Sequence, residues 1–237
     1  MSPAAPRPGR ILSAQDAERA VYFDFETLKG EPPSLLGWSY LRDDGAERFE
    51  QWLVEPLLWP AAPVKVPHTD GRVNVHGRSL NAAVRALVEI AEAEYRLLVS
   101  WSEFDLLQIR EHAAPELAGR CASVYRNALP TVRQWRKHVR PDAEIDRTFR
   151  GKNRLPVYAE LMRVHIPEKY AQNVAANGIR EMRAGIAESG SFTAATQEQR
   201  RAFKALLGHN RIDCGSARQI VMRAAEEYAE ARASQRA

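Results

Sequence analysis

Apolar positions along the chain recur with two different periods, and the changes of period mark out its elements. Residues 20–26 ("AVYFDFE") form a strand-length run of β-formers, bounded downstream by Lys29-Gly30 and the pair Pro32-Pro33. Residues 34–41 and 48–54 read as two further strands, and "DDGAE" at 43–47 is a hairpin signal between them. The stretch 56–77 is rich in Pro, Gly and His and predicts a long loop. Over 79–95 the spacing becomes helical, with Leu80, Val84, Leu87 and Ala91 on one face. Residues 96–100 ("RLLVS") predict a short strand, and 104–112 a helix. The stretch 115–140 reads as mainly helical with a break at Pro130, and short helices are expected over 154–164 and 173–187. A helix over 196–207 opens on "TQEQ", close to a capping box, and a separate long helix is expected over 209–233. Three strands, then helix, strand and several helices predict an α/β protein, a mixed β-sheet flanked by α-helices. Neither an internal repeat nor a second domain boundary is visible. A flexible N-terminal arm is expected over 1–17 and one domain over 18–237.

The first strand carries a contradiction. Side chains alternate faces in a strand, so Val21, Phe23 and Phe25 point one way and Tyr22, Asp24 and Glu26 the other. Asp24 and Glu26 are then same-face neighbours, about 7 Å apart along the strand. Burying two like charges together is costly. Two carboxylates at that separation can share or bridge divalent cations, and Mg²⁺ and Mn²⁺ take such oxygen ligands. A strand end that emerges into solvent also accommodates a lone D-x-E.

Two later segments supply more groups of the same kind. In "LLVSWSEFDL" (97–106) an apolar strand ends at Ser100 and Asp105 follows inside the next helix, where sites are built in α/β sheets. Glu103 is close by and also suits a helix N-terminus. In "GHNRIDCGSARQIV" (208–221) His209 and Asp213 are four apart, on one helical face that continues through Ala217, Ile220, Ala224 and Tyr228. A His and an Asp on a core-facing stripe need partners, which a plain mutual hydrogen bond would also supply.

Taken in order, "VYFDFET" (21–27), "VSWSEFDLLQIR" (99–110) and "HNRIDC" (209–214) resemble the three acidic motifs of the DEDD superfamily of 3′→5′ exonucleases, which have a ribonuclease H-like fold. "GKNRLPVYAELMRVHIP" (151–167) is similar to the segment many members carry before the third motif, and the likeness covers residues 18–230. The second motif favours Asp105 over Glu103. The chain departs from the pattern at His209: in the tyrosine subgroup a Tyr precedes the last Asp by four, in the histidine subgroup a His precedes it by five. "HNRIDC" looks closest to a "YNxxDC"-type branch with His209 in the Tyr position. The resemblance implies that Asp24, Glu26, Asp105 and Asp213 hold two Mg²⁺ or Mn²⁺ ions about 3.5–4 Å apart. It implies that His209 orients or deprotonates the attacking water, a role that suits an imidazole near neutral pH. The expected activity is two-metal hydrolysis of single-stranded DNA or RNA from the 3′ end. The alternatives are a catalytically weak or inactive nucleic-acid-binding module of the same fold, and an endonuclease or short-oligonucleotide hydrolase.

Charge changes the picture in one place. The formal net charge of the 237 residues is +4, but Arg120 to Arg154 alone carries +7, leaving −3 for the remainder. This segment interleaves basic residues with Tyr125, Trp135 and Phe149, which suits phosphate contact with base stacking. Arg133, Arg136, Lys137, Arg150, Lys152 and Arg154 are the candidate nucleic-acid contacts; a solvated face is the plain alternative, and Tyr125 and Trp135 also suit a core. Cys121 and Cys214 lack CxxC spacing, which argues against a zinc ribbon or a disulfide framework. No run of about 18 apolar residues exists, and "MSPAAPRPGR" lacks the apolar centre of a signal peptide, so a cytoplasmic location is expected.

Overall fold

The computed structural model describes residues 11–62, 64–68, 71–143, 153–167 and 174–235. β1 (Val21–Glu26), β2 (Leu35–Leu41) and β3 (Glu47–Leu53) form an antiparallel meander. The turn between β2 and β3 closes on Gly45 at φ 79°, with the Asp44 carboxylate accepting from the Ala46 N–H at 2.9 Å. β4 (Val64–His68) and β5 (Gly71–Gly77) form a hairpin whose second strand runs parallel to β3. On the other side of β1 lie β6 (Leu98–Ser100) and β7 (Tyr125–Asn127), both parallel to it. The mixed sheet has seven strands in the order β4-β5-β3-β2-β1-β6-β7. The protein is α/β, as its pattern of elements predicts.

Helices cover both faces, and the alternation in β1 decides which side chains each face receives. Val21, Phe23 and Phe25 pack with Trp38 and Trp52 beneath α2 (Leu80–Ala93), α3 (Phe104–His112) and α4 (Pro115–Val124). Burying each Phe stabilises by about 1.5–3 kcal/mol, which offsets the acids carried on the strand's other face. That face meets α1 (Ala14–Arg19), α5 (Leu129–Val139), α6 (Leu155–Leu161), α7 (Val174–Ser189) and α8 (Gln197–Ser234). Tyr22 packs there with Val99, Trp135 and Ile220, while Leu35 and Leu53 pack with Met182, Phe203 and Leu206. Asp24 and Glu26 lie between these two apolar clusters, under α8.

The structure corrects four expectations. The stretch 56–77 is not a loop: it holds a 3₁₀ helix, Pro56–Ala61, and the β4–β5 hairpin. The break within 115–140 falls at β7, ahead of Pro130, which sits in the first turn of α5 where a missing N–H costs nothing. Residues 196–233 do not form two helices. α8 runs unbroken for 38 residues from its Thr196–Gln199 capping box, through Gly208. An interior Gly costs about 1 kcal/mol, and buried Leu206, Leu207 and Asn210 around it outweigh that. Finally, the arm over 1–17 is too long: Leu12 is buried, its N–H donates to Thr131 Oγ1 at 3.0 Å, and Ser13 caps α1.

Candidate functional site

β1 outruns its parallel neighbour. β6 pairs with it only at Val21 and Tyr22 and ends at Ser100, so Asp24 to Glu26 extend beyond the end of β6. This overhanging stretch lies at the carboxyl end of the parallel strands, where α/β sheets bind ligands. The chain turns sharply from β6 into α3, held by Ser100 Oγ, which donates to the Ser102 carbonyl at 2.7 Å and pairs with the Tyr125 hydroxyl at 3.0 Å. The turn delivers Asp105 to β1, where Asp105 Oδ1 accepts the Phe25 backbone N–H at 3.1 Å. Glu103, the neighbouring acid, is exposed. From the other side α8 brings His209 and Asp213, one turn apart. His209 Nε2 lies 3.6 Å from Asp213 Oδ2 and 3.8 Å from Glu26 Oε1.

The electrostatics follow from burial and from the crowding of like charges. Burial, then the charges of Glu26, Asp105 and Asp213, hold the Asp24 carboxyl well above the usual range, while a hydrogen bond from Asn210 pulls it down. Glu26 is likewise pushed well up by burial and by Asp213. Burial raises Asp105 to about 6 against the Phe25 N–H and Ser100, and raises Asp213 against His209. Burial and the same four acids push the Cys214 thiol up as well. All four shifts run upward, so each carboxylate is disfavoured as a bare anion and gains from a nearby positive charge.

A hard divalent cation fits this donor set. All four acids offer oxygen, and Glu26 Oε1 is buried with no hydrogen-bond partner among the described residues. Among the described residues, no three His, Cys, Asp or Glu side chains are yet drawn into one metal cage. Holding one cation in common would require these side chains to draw closer together.

The acids open on a cleft of about 960 Å³, whose lining includes Asp24, Asp105, His209 and Asp213 on one side and Trp101, Phe104, Arg154 and His165 around them. Trp101, Phe104 and His165 are absent from the sequence-derived set. Phe104 had a signal: on α3, Leu106 and Ile109 are buried while Phe104 and Leu107 are about half exposed, placing two large apolar side chains on the wet face. Asn210, which bonds Asp24, and Gln51, which bonds Asn210, had none.

The basic candidates divide. Arg154 lines the cleft. Arg133 is exposed on α5 and donates to Asn153 Oδ1 at 3.2 Å, beside Arg154; Arg136 and Lys137 continue along the same helix. Arg150, Lys152 and Phe149 lie outside the described residues. Tyr125 and Trp135 are core side chains, with Trp135 Nε1 donating to Glu227 at 2.6 Å, so neither offers a face for stacking.

Compared with known proteins, the chain matches no family model, no curated protein and no solved structure. Among the described residues, no helix is long and apolar enough to cross a membrane.

Proposed function

We propose that this protein is a divalent-metal-dependent phosphodiester hydrolase, a 3′→5′ exonuclease on single-stranded DNA or RNA ends, with a ribonuclease H-like fold of the DEDD type. The observation that carries the proposal is the meeting of Asp24 and Glu26, Asp105, and His209 and Asp213. Three distant segments bring them to the end of β1, beside an open cleft. The mixed sheet covered by helices on both faces supports the fold assignment.

Hydrolysis adds water across the P–O3′ bond: the hydroxyl goes to phosphorus and a proton to the leaving 3′ oxygen. Two Mg²⁺ or Mn²⁺ ions at the four carboxylates would supply a more acidic water and charge stabilisation for the leaving oxygen. The protein's own groups do the rest. His209 holds or accepts a proton at Nε2, where Glu26 and Asp213 both face it. Asp105 holds its own carboxylate and the β1 backbone in one arrangement. Arg154 neutralises phosphate charge in the cleft, and Arg133, Arg136 and Lys137 extend that field along the entering strand.

The test is cleavage of a 5′-labelled single-stranded oligonucleotide with Mg²⁺ or Mn²⁺. Stepwise shortening that EDTA and Asp24→Ala each abolish is the expected result, and activity that survives either one overturns the proposal. The incomplete convergence of the acids favours one second reading, a binding module without turnover. Oligonucleotide binding with no cleavage across several divalent metals would establish it. Cuts in a circular single strand would make the enzyme an endonuclease.

A further inference from the structure

We propose that Asn210 is the positioning residue for the Asp24 carboxylate, and that Gln51 and Gly37 hold Asn210 in that role; this rests on the metal-dependent reading above. Asp24, Gly37 and Gln51 stand in one row across β1, β2 and β3, each paired with the next. All three therefore face α8. Asn210, fully buried on α8, reaches down over the middle of the row. Its Nδ2 donates to the Asp24 backbone carbonyl and to Asp24 Oδ2, each at 3.1 Å. Its Oδ1 accepts from Gln51 Nε2 at 3.0 Å, and the same Gln51 nitrogen donates to the Leu207 carbonyl at 2.8 Å.

Each of these bonds fixes the next. A side-chain amide has a donor end and an acceptor end. Gln51 offers a donor, so Oδ1 of Asn210 must face β3, and Nδ2 must then face Asp24. The amide is neutral. It orients the carboxylate without cancelling the charge a cation needs, which a Lys or Arg in this place would do.

Gly37 supplies the room. Its φ is not in the left-handed region, so backbone freedom is not the reason for a glycine inside a strand. A Cβ at residue 37 would stand 2.8 Å from Asn210 Cγ and closer still to Oδ1. Gly weakens a strand interior and often marks a close approach. Here what approaches is the amide that holds Asp24.

The test compares the full chain with Asn210→Ala, Gly37→Ala and the double variant. Four measurements are made: Mn²⁺ affinity by calorimetry, kcat and KM on a labelled oligonucleotide, Tm, and the Asp24 conformation in crystals. Asn210→Ala is expected to stay folded, to bind Mn²⁺ about 10–100-fold more weakly, and to lose kcat with little change in KM. Its Asp24 carboxylate should leave the wild-type position. Gly37→Ala should show the same losses, and the double variant should be no worse than either single one, because both act through one hydrogen-bonded amide. Losses that sum in the double variant overturn the part assigned to Gly37; if Gly37→Ala does not fold, Asn210→Ala decides. Wild-type Mn²⁺ affinity in Asn210→Ala overturns the proposal. If the wild type binds no Mn²⁺, the metal-dependent reading fails separately. The Asp24 position still decides: unchanged in Asn210→Ala, it overturns the positioning role.

Discussion

Asp105 Oδ1 accepts the backbone N–H of Phe25 at 3.1 Å, so an acid from α3 is tied to β1 between Asp24 and Glu26. β6 has already ended, and the carboxylate takes the place that a sheet neighbour would have filled. One oxygen thus holds the strand while the group remains part of the acidic cluster.

This double duty separates two substitutions. Asp105→Asn keeps an acceptor for Phe25 and removes a charge that burial disfavours. It should raise the Tm of the metal-free protein at pH 8 while abolishing cleavage. Asp105→Ala should also abolish cleavage but leave the Phe25 N–H without a partner, at about 1–3 kcal/mol. At this chain length that lowers Tm by about 2–4 °C per kcal/mol. Thermal melts of the two variants beside a cleavage assay check the pair; equal Tm values would remove the structural role.

Stability of the metal-free protein should fall as pH rises. Asp24, Glu26, Asp105 and Asp213 all have folded pKa values above the ordinary carboxylate range. The folded state therefore holds these protons more tightly than the unfolded chain. Below about pH 4 both states are protonated and the contribution is fully present. As pH climbs through Asp105's value of about 6 and beyond, the folded carboxyls are forced to ionise and the contribution is lost. Melts in EDTA should give a higher Tm at pH 5.5 than at pH 8. Mn²⁺ should raise Tm more at pH 8, where fewer protons compete with it for the carboxylates. A metal-free Tm that increases from pH 5.5 to 8 would contradict this account.

His209 faces two carboxylates through Nε2. If that nitrogen takes the proton of the attacking water, His209→Tyr should shift the pH–rate profile towards the higher pKa of a phenol. A profile that keeps its shape and only drops in height would assign His209 to orientation alone. Steady-state kinetics from pH 5.5 to 9.5 distinguish the two.

Arg133 and Lys137 are exposed on α5, and their removal should change Tm little. The double variant Arg133→Ala/Lys137→Ala should weaken single-stranded oligonucleotide binding. It should also flatten the slope of log affinity against log salt by about 0.7 for each phosphate that is no longer neutralised. Arg154→Ala, inside the cleft, should in addition lower kcat. An unchanged salt slope would return the α5 residues to a plain solvated face.

The acidic motifs were legible because their signals are local. Strand alternation alone put Asp24 and Glu26 on one face, and helical spacing alone paired His209 with Asp213. The paired supports were not legible: Gln51 in β3 and Asn210 in α8 are 159 positions apart, and no periodicity links them. β4 and β5 were hidden for a different reason. Pro, Gly and His within 56–77 read as a loop, yet Val64 and Val75 are buried and the hairpin is held by pairing with β3. The boundary expected near Gly208 failed because helix propensity there is weaker than the packing of Leu206, Leu207 and Asn210 on the sheet.

Residue order alone thus specified the α/β class, the first three strands, the acidic face of β1 and the shared helical face of His209 and Asp213, since each depends on periods of two or about 3.6; Asp105 was singled out over Glu103 only by the resemblance to the second acidic motif. Only the tertiary structure decided that Asp105 caps β1, that Gly37 leaves room for Asn210, and that Tyr125 and Trp135 are core rather than stacking platforms. Those outcomes depend on which distant side chains are excluded from water together, and burial is a property of the assembled sheet and helices, not of any one segment.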